Sequence, residues 1–274
     1  MMVRLIVTLA ILSAAIPMAA QEPATKDASK VKAAVEKTRG QKSYRVGFTA
    51  VIQVPDSDPM KLEGETVWIA PGVLFTQYSA AGGEVVRLVR LGEKVWLYHL
   101  VVEEWLSAEE SGKPGAGRGV QNPDEVLLAI LKAADQAVVA GKDKAGDILE
   151  MKLDGTTLQK VMRQQAVEGA MDWAKSSGTV RLVAGTADGL MYRMEVSAEV
   201  ASTDAHLKGK KIGYSADVSL KAYNRDFSFD FTDIDIKTKK TITLPWPPAF
   251  LAEAEKVPNL PDELKAEIQK RKKK

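Results

Sequence analysis

The chain has no cysteine, only two histidines and few aromatics, with Phe, Trp and Tyr together making up 6% of 274 residues. Without cysteine there is no disulfide framework, no thiol nucleophile, no thiolate metal site and no residue for amino-terminal lipidation. The two histidines offer little acid–base chemistry. His99 falls within a strand pattern and His206 in the loop "STDAHLKGKK", and neither has a serine or aspartate at a recognisable catalytic spacing. HExxH, GxSxG and P-loop motifs are all missing. No catalytic residue, metal ligand or cofactor is therefore assigned, and the chain is not expected to be an enzyme. A surplus of one charge is lacking too: 38 basic residues stand against 36 acidic ones, a net charge of +2. Phosphate backbones need a basic surplus, so nucleic acid is not an expected partner.

Two passages that superficially suggest ligands have plainer readings. "GAGRG" (Gly115–Gly119) is not fed by a buried strand as a dinucleotide loop would be, so it is expected to be a flexible connection within Ser111–Gly119. In "FDFTDIDI", Asp233 and Asp235 share one face of an extended chain and Asp230 the other. That is a solvated strand edge rather than a loop converging on a hard cation.

One long apolar run occurs, at the start. Arg4 precedes "LIVTLAILSAAI" (Leu5–Ile16), and Pro17, Ala19 and Ala20 follow. This is the anatomy of a secretory signal peptide cleaved after Ala20, too short for the roughly 20 apolar residues of a spanning helix. Cleavage removes Arg4, leaving 38 − 1 = 37 basic residues against 36 acidic ones, and 274 − 20 = 254 residues. That length suits one large β-rich domain. The expected location is a periplasm, and the expected form is an unanchored, soluble monomer.

The rest of the chain is patterned by period. "DASKVKAAVEKTRG" reads as a short helix with Val31, Ala34 and Val35 on one face and Gly40 as its stop. From Tyr44 the period becomes two: Tyr44, Val46, Phe48, Ala50 and Ile52 alternate with polar or small residues. Further strands are expected at Lys61–Ala70, Val73–Ser79, Glu84–Leu91 and Lys94–Val101, separated by "APG", "AAGG" and "LGE" as hairpin turns. Asn122, Pro123, Asp124 and Glu125 make a strong helix start, and Val126–Leu131 is apolar all round, as in an enclosed helix. A strand at Ala137–Lys142 and the segment "ILEMKLDG" follow. A second helix is then expected over Thr156–Lys175, with Leu158, Val161, Met162, Gln165, Gly169 and Trp173 as its stripe.

Later, Leu190, Tyr192, Met194, Val196, Ala198 and Val200 form one face of a long strand, and Ile212, Tyr214, Ala216, Val218, Leu220 and Ala222 that of another. Phe227, Phe229 and Phe231 repeat the alternation. So many antiparallel strands twist into a barrel or part-barrel rather than a flat sheet. The expected fold is α+β, mainly antiparallel β: an unclosed half-barrel of about 10–11 strands, with helices in and across its concave face. It should span residues 27–250, followed by a helical basic tail over 251–274 that ends in Lys270–Lys274. Such a tail is a solvated helix end, or it makes transient contact with an anionic membrane surface.

The run Gly64–Trp105 resembles the periplasmic lipoprotein carrier LolA and its relatives. The matching residues are Trp68, Pro71, Leu74 and Phe75 in one strand–loop–strand, then Gly92, Val95, Trp96 and Tyr98 ahead of the helix at Pro123. The closing "ITLPWPP" (Ile242–Pro248) is similar to the family's end. Ala70 stands where carriers that hand lipoproteins onward usually have Arg, and the lipidated cysteine of mycobacterial lipid-carrying relatives has no counterpart.

The resemblance implies helices lining the mouth of an open barrel and an apolar cavity for lipid, or for the acyl chains of lipoproteins. The candidate cavity residues are Tyr44, Val46, Phe48, Leu127, Leu131, Tyr192, Met194, Tyr214 and Val218. Trp68, Phe75, Trp96 and Tyr98 are candidates as well, although the strands carrying Trp68 and Trp96 are apolar on both faces and leave the inward side open. Burying about 15 carbons at about 0.8 kcal/mol each gives on the order of 12 kcal/mol before association costs, so such a site needs no sharp motif. A carrier or chaperone for lipids is the leading expectation. An envelope sensor in the manner of the stress regulator RseB, or a structural envelope protein with a filled core, are the alternatives.

Overall fold

The computed structural model describes residues 27–79, 83, 85–108, 110, 122–162, 171–207, 209–235 and 238–273. The expected signal peptide, most of "AAGG" and the glycine-rich stretch Ser111–Gly119 lie outside them.

Helix α1 (Ala28–Arg39) starts where the Asp27 side chain accepts from the Lys30 backbone N–H, and it ends at Gly40. Val31, Ala34, Val35 and Thr38 make its buried face. A meander follows: β1 (Ser43–Gln53), β2 (Met60–Ile69), β3 (Val73–Ser79), β4 (Val85–Leu91), β5 (Lys94–His99) and β6 (Glu104–Ser107). Each strand pairs antiparallel with the next. Helix α2 (Pro123–Ala133) begins with the Asn122 carboxamide accepting from the Asp124 N–H at 3.0 Å. It carries the chain to the opposite end of the sheet.

There β7 (Val138–Lys142), β8 (Gly146–Leu153), α3 (Gly155–Met162), β9 (Met171–Gly185), β10 (Met191–Ser202) and β11 (Lys211–Lys221) lead back to the centre. β11 pairs antiparallel with β1. The result is one 11-stranded sheet in the order β6-β5-β4-β3-β2-β1-β11-β10-β9-β8-β7, with β6 and β7 as its two edges. It is an unclosed antiparallel half-barrel. The chain ends in a small hairpin of β12 (Thr232–Ile234) and β13 (Thr241–Thr243), then α4 (Pro248–Ala254) and α5 (Asp262–Lys272).

Both faces of half the sheet are covered. On the concave face, α1, α2 and α3 pack with Tyr44, Val46, Trp68, Leu74, Leu88 and their counterparts on β8–β11. On the convex face of β2–β5, the residue between each of these (Val67, Phe75, Val89, Trp96) packs against Phe227, Phe229, Phe231, Trp246, Phe250, Leu264 and Ile268 from the chain end. Register explains the split: Tyr44 pairs with Trp68, Trp68 with Leu74, and Leu88 with Leu97, so those side chains share the concave face. Farther along, the convex face of β8–β11 is polar. Arg181 meets Glu150 at 2.6 Å there, and Arg193 meets Asp217 at 2.5 Å.

Three expectations change. The helix expected to reach Lys175 ends at Met162 among the described residues, and Met171–Gly185 is the longest strand of the sheet. Gln165 and Gly169 lie outside the described residues, and Trp173 is on β9. Leu158, Val161 and Met162 do form a helical stripe, but pairing with β8 on one side and β10 on the other overrides its continuation. The strand expected at Phe227–Phe231 belongs to no sheet, because its alternation reports a one-sided extended segment laid on the convex core. Helix α2 is not enclosed all round, since Leu128 is 39% exposed.

The basic chain end is docked. Leu264 and Ile268 are fully buried, and the expected boundary at 250/251 falls inside α4. Lys270, Arg271 and Lys272 each face a carboxylate (Glu267, Glu267 with Asp230, and Glu255), which leaves less of their charge for a membrane surface.

The turn from β8 into α3 depends on one glycine. A Cβ at Gly155 would sit 1.6 Å from the Trp173 carbonyl oxygen, a backbone atom with little freedom to move. Gly155→Ala is expected to destabilise the fold by about 1–3 kcal/mol in urea denaturation, the usual cost of overpacking. Stability equal to the parent chain would contradict the close approach of α3 to β9.

Candidate functional site

Between the middle of the concave face and the helices lies a pocket of about 110 Å³. β1 contributes Tyr44, Val46, Phe48 and Ala50, and β11 contributes Tyr214, Ala216, Val218 and Leu220. Met191, Met194 and Val196 come from β10, while Pro123, Val126 and Leu127 of α2 and Val161 of α3 close the other side. Thr66 of β2 completes the wall, and no charged side chain lines it. The space has a simple origin. Ala50 and Ala216 are cross-strand partners, and Ala216 is also paired with Val196. Two methyl groups therefore occupy the floor where neighbouring pairs place larger side chains such as Phe48 and Val218.

Polar atoms at this site fall into two groups. Some are satisfied: the Thr66 and Thr76 hydroxyls bond each other at 3.0 Å, and the Tyr223 hydroxyl donates to the Met191 carbonyl. Arg39 clamps Asp124 through Nε and Nη2, at 2.6 and 3.2 Å, tying the end of α1 to the start of α2. Others have no partner. The Tyr44 hydroxyl and the Trp68 indole Nε1 are buried without a hydrogen bond, and their rings stack with centroids 5.0 Å apart. An unmet buried donor costs about 1–3 kcal/mol, so each is unusual. Burial holds the Tyr44 phenol well above its ordinary pKa, and the nearby Asp124 carboxylate adds to this. The Tyr223 phenol is raised as well, again chiefly by burial.

Of the residues singled out from the sequence, Tyr44, Val46, Phe48, Leu127, Met194, Tyr214 and Val218 come together around this pocket. Trp68 is on the same face, behind Tyr44. Leu131 packs half-buried on the helix side of the core without reaching the pocket. Tyr192 points outward: it is 37% exposed and its hydroxyl donates to Asp188 at 2.5 Å. A register shift between Met191 and Arg193 turns the strand there, so Met191 lines the pocket where alternation had placed Tyr192. Phe75, Trp96 and Tyr98 lie on the convex side, in the core formed with the chain end. Ala216 and Leu220 were legible from their alternation with Tyr214 and Val218. Met191 was not, since no local pattern marks the bulge.

Other candidates disperse. His99 is at the end of β5 with its Nδ1 buried, and His206 is on an exposed turn. Asp230 pairs with Arg271, Asp233 with Arg87, and Asp235 accepts from the Thr238 N–H, so the three carboxylates do not converge. Among the described residues no group of three His, Asp or Glu side chains is placed to hold a metal ion. No helix of the described residues is long and apolar enough to cross a membrane. A wider depression of about 590 Å³ lies on the convex face, walled by Glu150, Arg181, Glu195 and Asp217. It is a polar surface of the twisted sheet, with Arg181 paired to Glu150 and Arg193 to both Glu195 and Asp217.

The chain is similar to LolA-superfamily proteins. No protein-family model and no curated protein matches it. Among solved structures, the lipoprotein LppX of Mycobacterium tuberculosis aligns over 73% of this chain and 95% of its own, at 9% identity and a TM-score of 0.45. A LolA superfamily protein from Nitrosomonas europaea aligns over 79% and 98%, at 12% identity and a TM-score of 0.31. A putative outer membrane lipoprotein-sorting protein domain from Vibrio parahaemolyticus aligns over 72% and 92%, at 6% identity and a TM-score of 0.26. The chemistry of the half-barrel has to be read from its own pocket.

Proposed function

We propose that this half-barrel is a periplasmic binding protein or carrier that takes up lipid, or the acyl chains of lipoproteins, on its concave face. The observation that carries this reading is the pocket itself: an uncharged, apolar-walled space between the centre of the sheet and a layer of helices. The apolar run at Leu5–Ile16, between Arg4 and the small residues Ala19 and Ala20, supports export on this reading.

The resting pocket is too small for a whole chain. At about 110 Å³ it is smaller than the roughly 150 Å³ of an engineered cavity that admits benzene. Uptake on this reading lifts α2 and α3 from the sheet, and each methylene buried, at about 0.8 kcal/mol, offsets the helix-on-sheet packing that opening gives up. The small resting volume is also the one observation that favours a filled structural core.

Native mass spectrometry of the exported protein, followed by organic extraction and lipid mass analysis, separates the two. A stoichiometric acyl species supports the carrier. An apoprotein that also fails to bind a fluorescent fatty-acid probe decides for the filled core.

A further inference from the structure

We infer that the concave-face site recognises the carbonyl oxygen of a neutral acyl ester or amide, through the hydroxyl of pocket-lining Tyr44 and, behind it, the indole N–H of Trp68. This rests on the lipid-binding reading and names the chemical class of the lipid. Its starting point is the pair of donors with nothing to bond. Tyr44 is fully buried and Trp68 is 6% exposed, and neither Oη nor Nε1 has a partner. They occupy paired positions on β1 and β2, with rings stacked at an interplanar angle of 27°. Buried polar groups in folded proteins are nearly always hydrogen-bonded. Tyr44 lines the pocket and Trp68 stacks directly behind it, and two unbonded donors so placed are in the state expected of a site whose acceptor arrives with the ligand.

The surrounding groups do not supply that acceptor. Thr66 and Thr76 bond each other, Tyr223 donates to Met191, and both Asp124 oxygens are held by Arg39. The donor set also selects against charge. An indole N–H only donates, and a phenol whose ionisation is suppressed by burial acts here as a donor as well. Arg39, the cation whose field reaches the phenol, is already committed to Asp124. A free fatty acid would thus bring a carboxylate into an apolar site without a counter-charge, at heavy desolvation cost. An ester or amide carbonyl brings the same acceptor with no such cost, and its hydrocarbon is buried against Val46, Met194 and Val218.

The test uses the whole exported chain and displacement of N-phenyl-1-naphthylamine from the pocket. The competitors are methyl dodecanoate, tetradecane (an alkane of the same chain length) and dodecanoate. The parent protein should bind the ester about tenfold tighter than the alkane, tenfold being about 1.4 kcal/mol or one good net hydrogen bond. Tyr44→Phe should abolish that preference, and Trp68→Phe should reduce it.

Equal binding of ester and alkane by the parent protein would overturn the carbonyl assignment but leave the lipid carrier standing. So would an ester preference that survives both substitutions. Tighter binding of dodecanoate than of the ester would overturn the preference for a neutral ligand. Displacement by none of the three would sink the lipid-binding reading itself.

Discussion

Replacing Trp246 with alanine is expected to cost about 3–5 kcal/mol of stability, the range for removing a large aromatic side chain from a core. The indole is 2% exposed and stacks on Phe75 at 4.5 Å, with Phe250 edge-on at 5.7 Å. The Arg271 guanidinium lies 4.1 Å from its ring centroid, and its Nε1 donates to the Phe229 carbonyl at 2.7 Å. Truncation therefore opens a cavity, strands a buried carbonyl and frees the last helix at one stroke. Urea denaturation should show a lower midpoint with an unchanged slope. Trp246→Phe keeps most of the stacking and loses the hydrogen bond, so it should cost about 1–2 kcal/mol. Because Trp246 is on the convex side, probe binding by the native fraction should stay within about twofold. A loss below about 1 kcal/mol for the alanine variant would mean that the chain end does not belong to the cooperative core.

Filling the pocket should have the largest effect on binding. Ala216 lies at its floor, between Ala50 and Val196. A phenyl ring at this position projects from the floor into the resting space of about 110 Å³. Ala216→Phe is expected to weaken binding of an acyl probe by about 100-fold, roughly 2.7 kcal/mol, while overpacking costs the fold about 1–3 kcal/mol. Fluorescence titration alongside thermal unfolding reads both. Unchanged affinity in a folded variant would place the ligand elsewhere on the molecule.

Local signals in the sequence were legible where they were self-sufficient. Asn122 and Pro123 start α2 through hydrogen-bond and dihedral chemistry that involves only their own neighbours. The alternations at Tyr44–Ile52 and Ile212–Leu220 needed no partner to be recognised, and they supply β1 and β11, the two strands that meet under the pocket. Errors came where two patterns competed or where pairing set the geometry. Trp173 continues a helical stripe from Leu158 by coincidence of spacing, but it lies on a strand held by neighbours on both sides. Tyr192 and Met191 exchange faces at a bulge that exists only because β9 and β10 slip in register.

The sequence alone determined the class of the molecule: a cysteine-free chain whose period-two runs and one capped helix build an open antiparallel half-barrel. The destination of its richest apolar stretch, around Trp96 and Tyr98, was decided by tertiary structure. A strand with apolar residues on both faces has a period but no preferred side, since alternation cannot say what will cover each face. For β5 that covering segment comes from the far end of the chain, where Phe231, Trp246 and Phe250 close over the convex side. Val95 and Leu97 are left to the concave core, and the pocket forms instead at the middle of the sheet, where Ala50 and Ala216 leave it room.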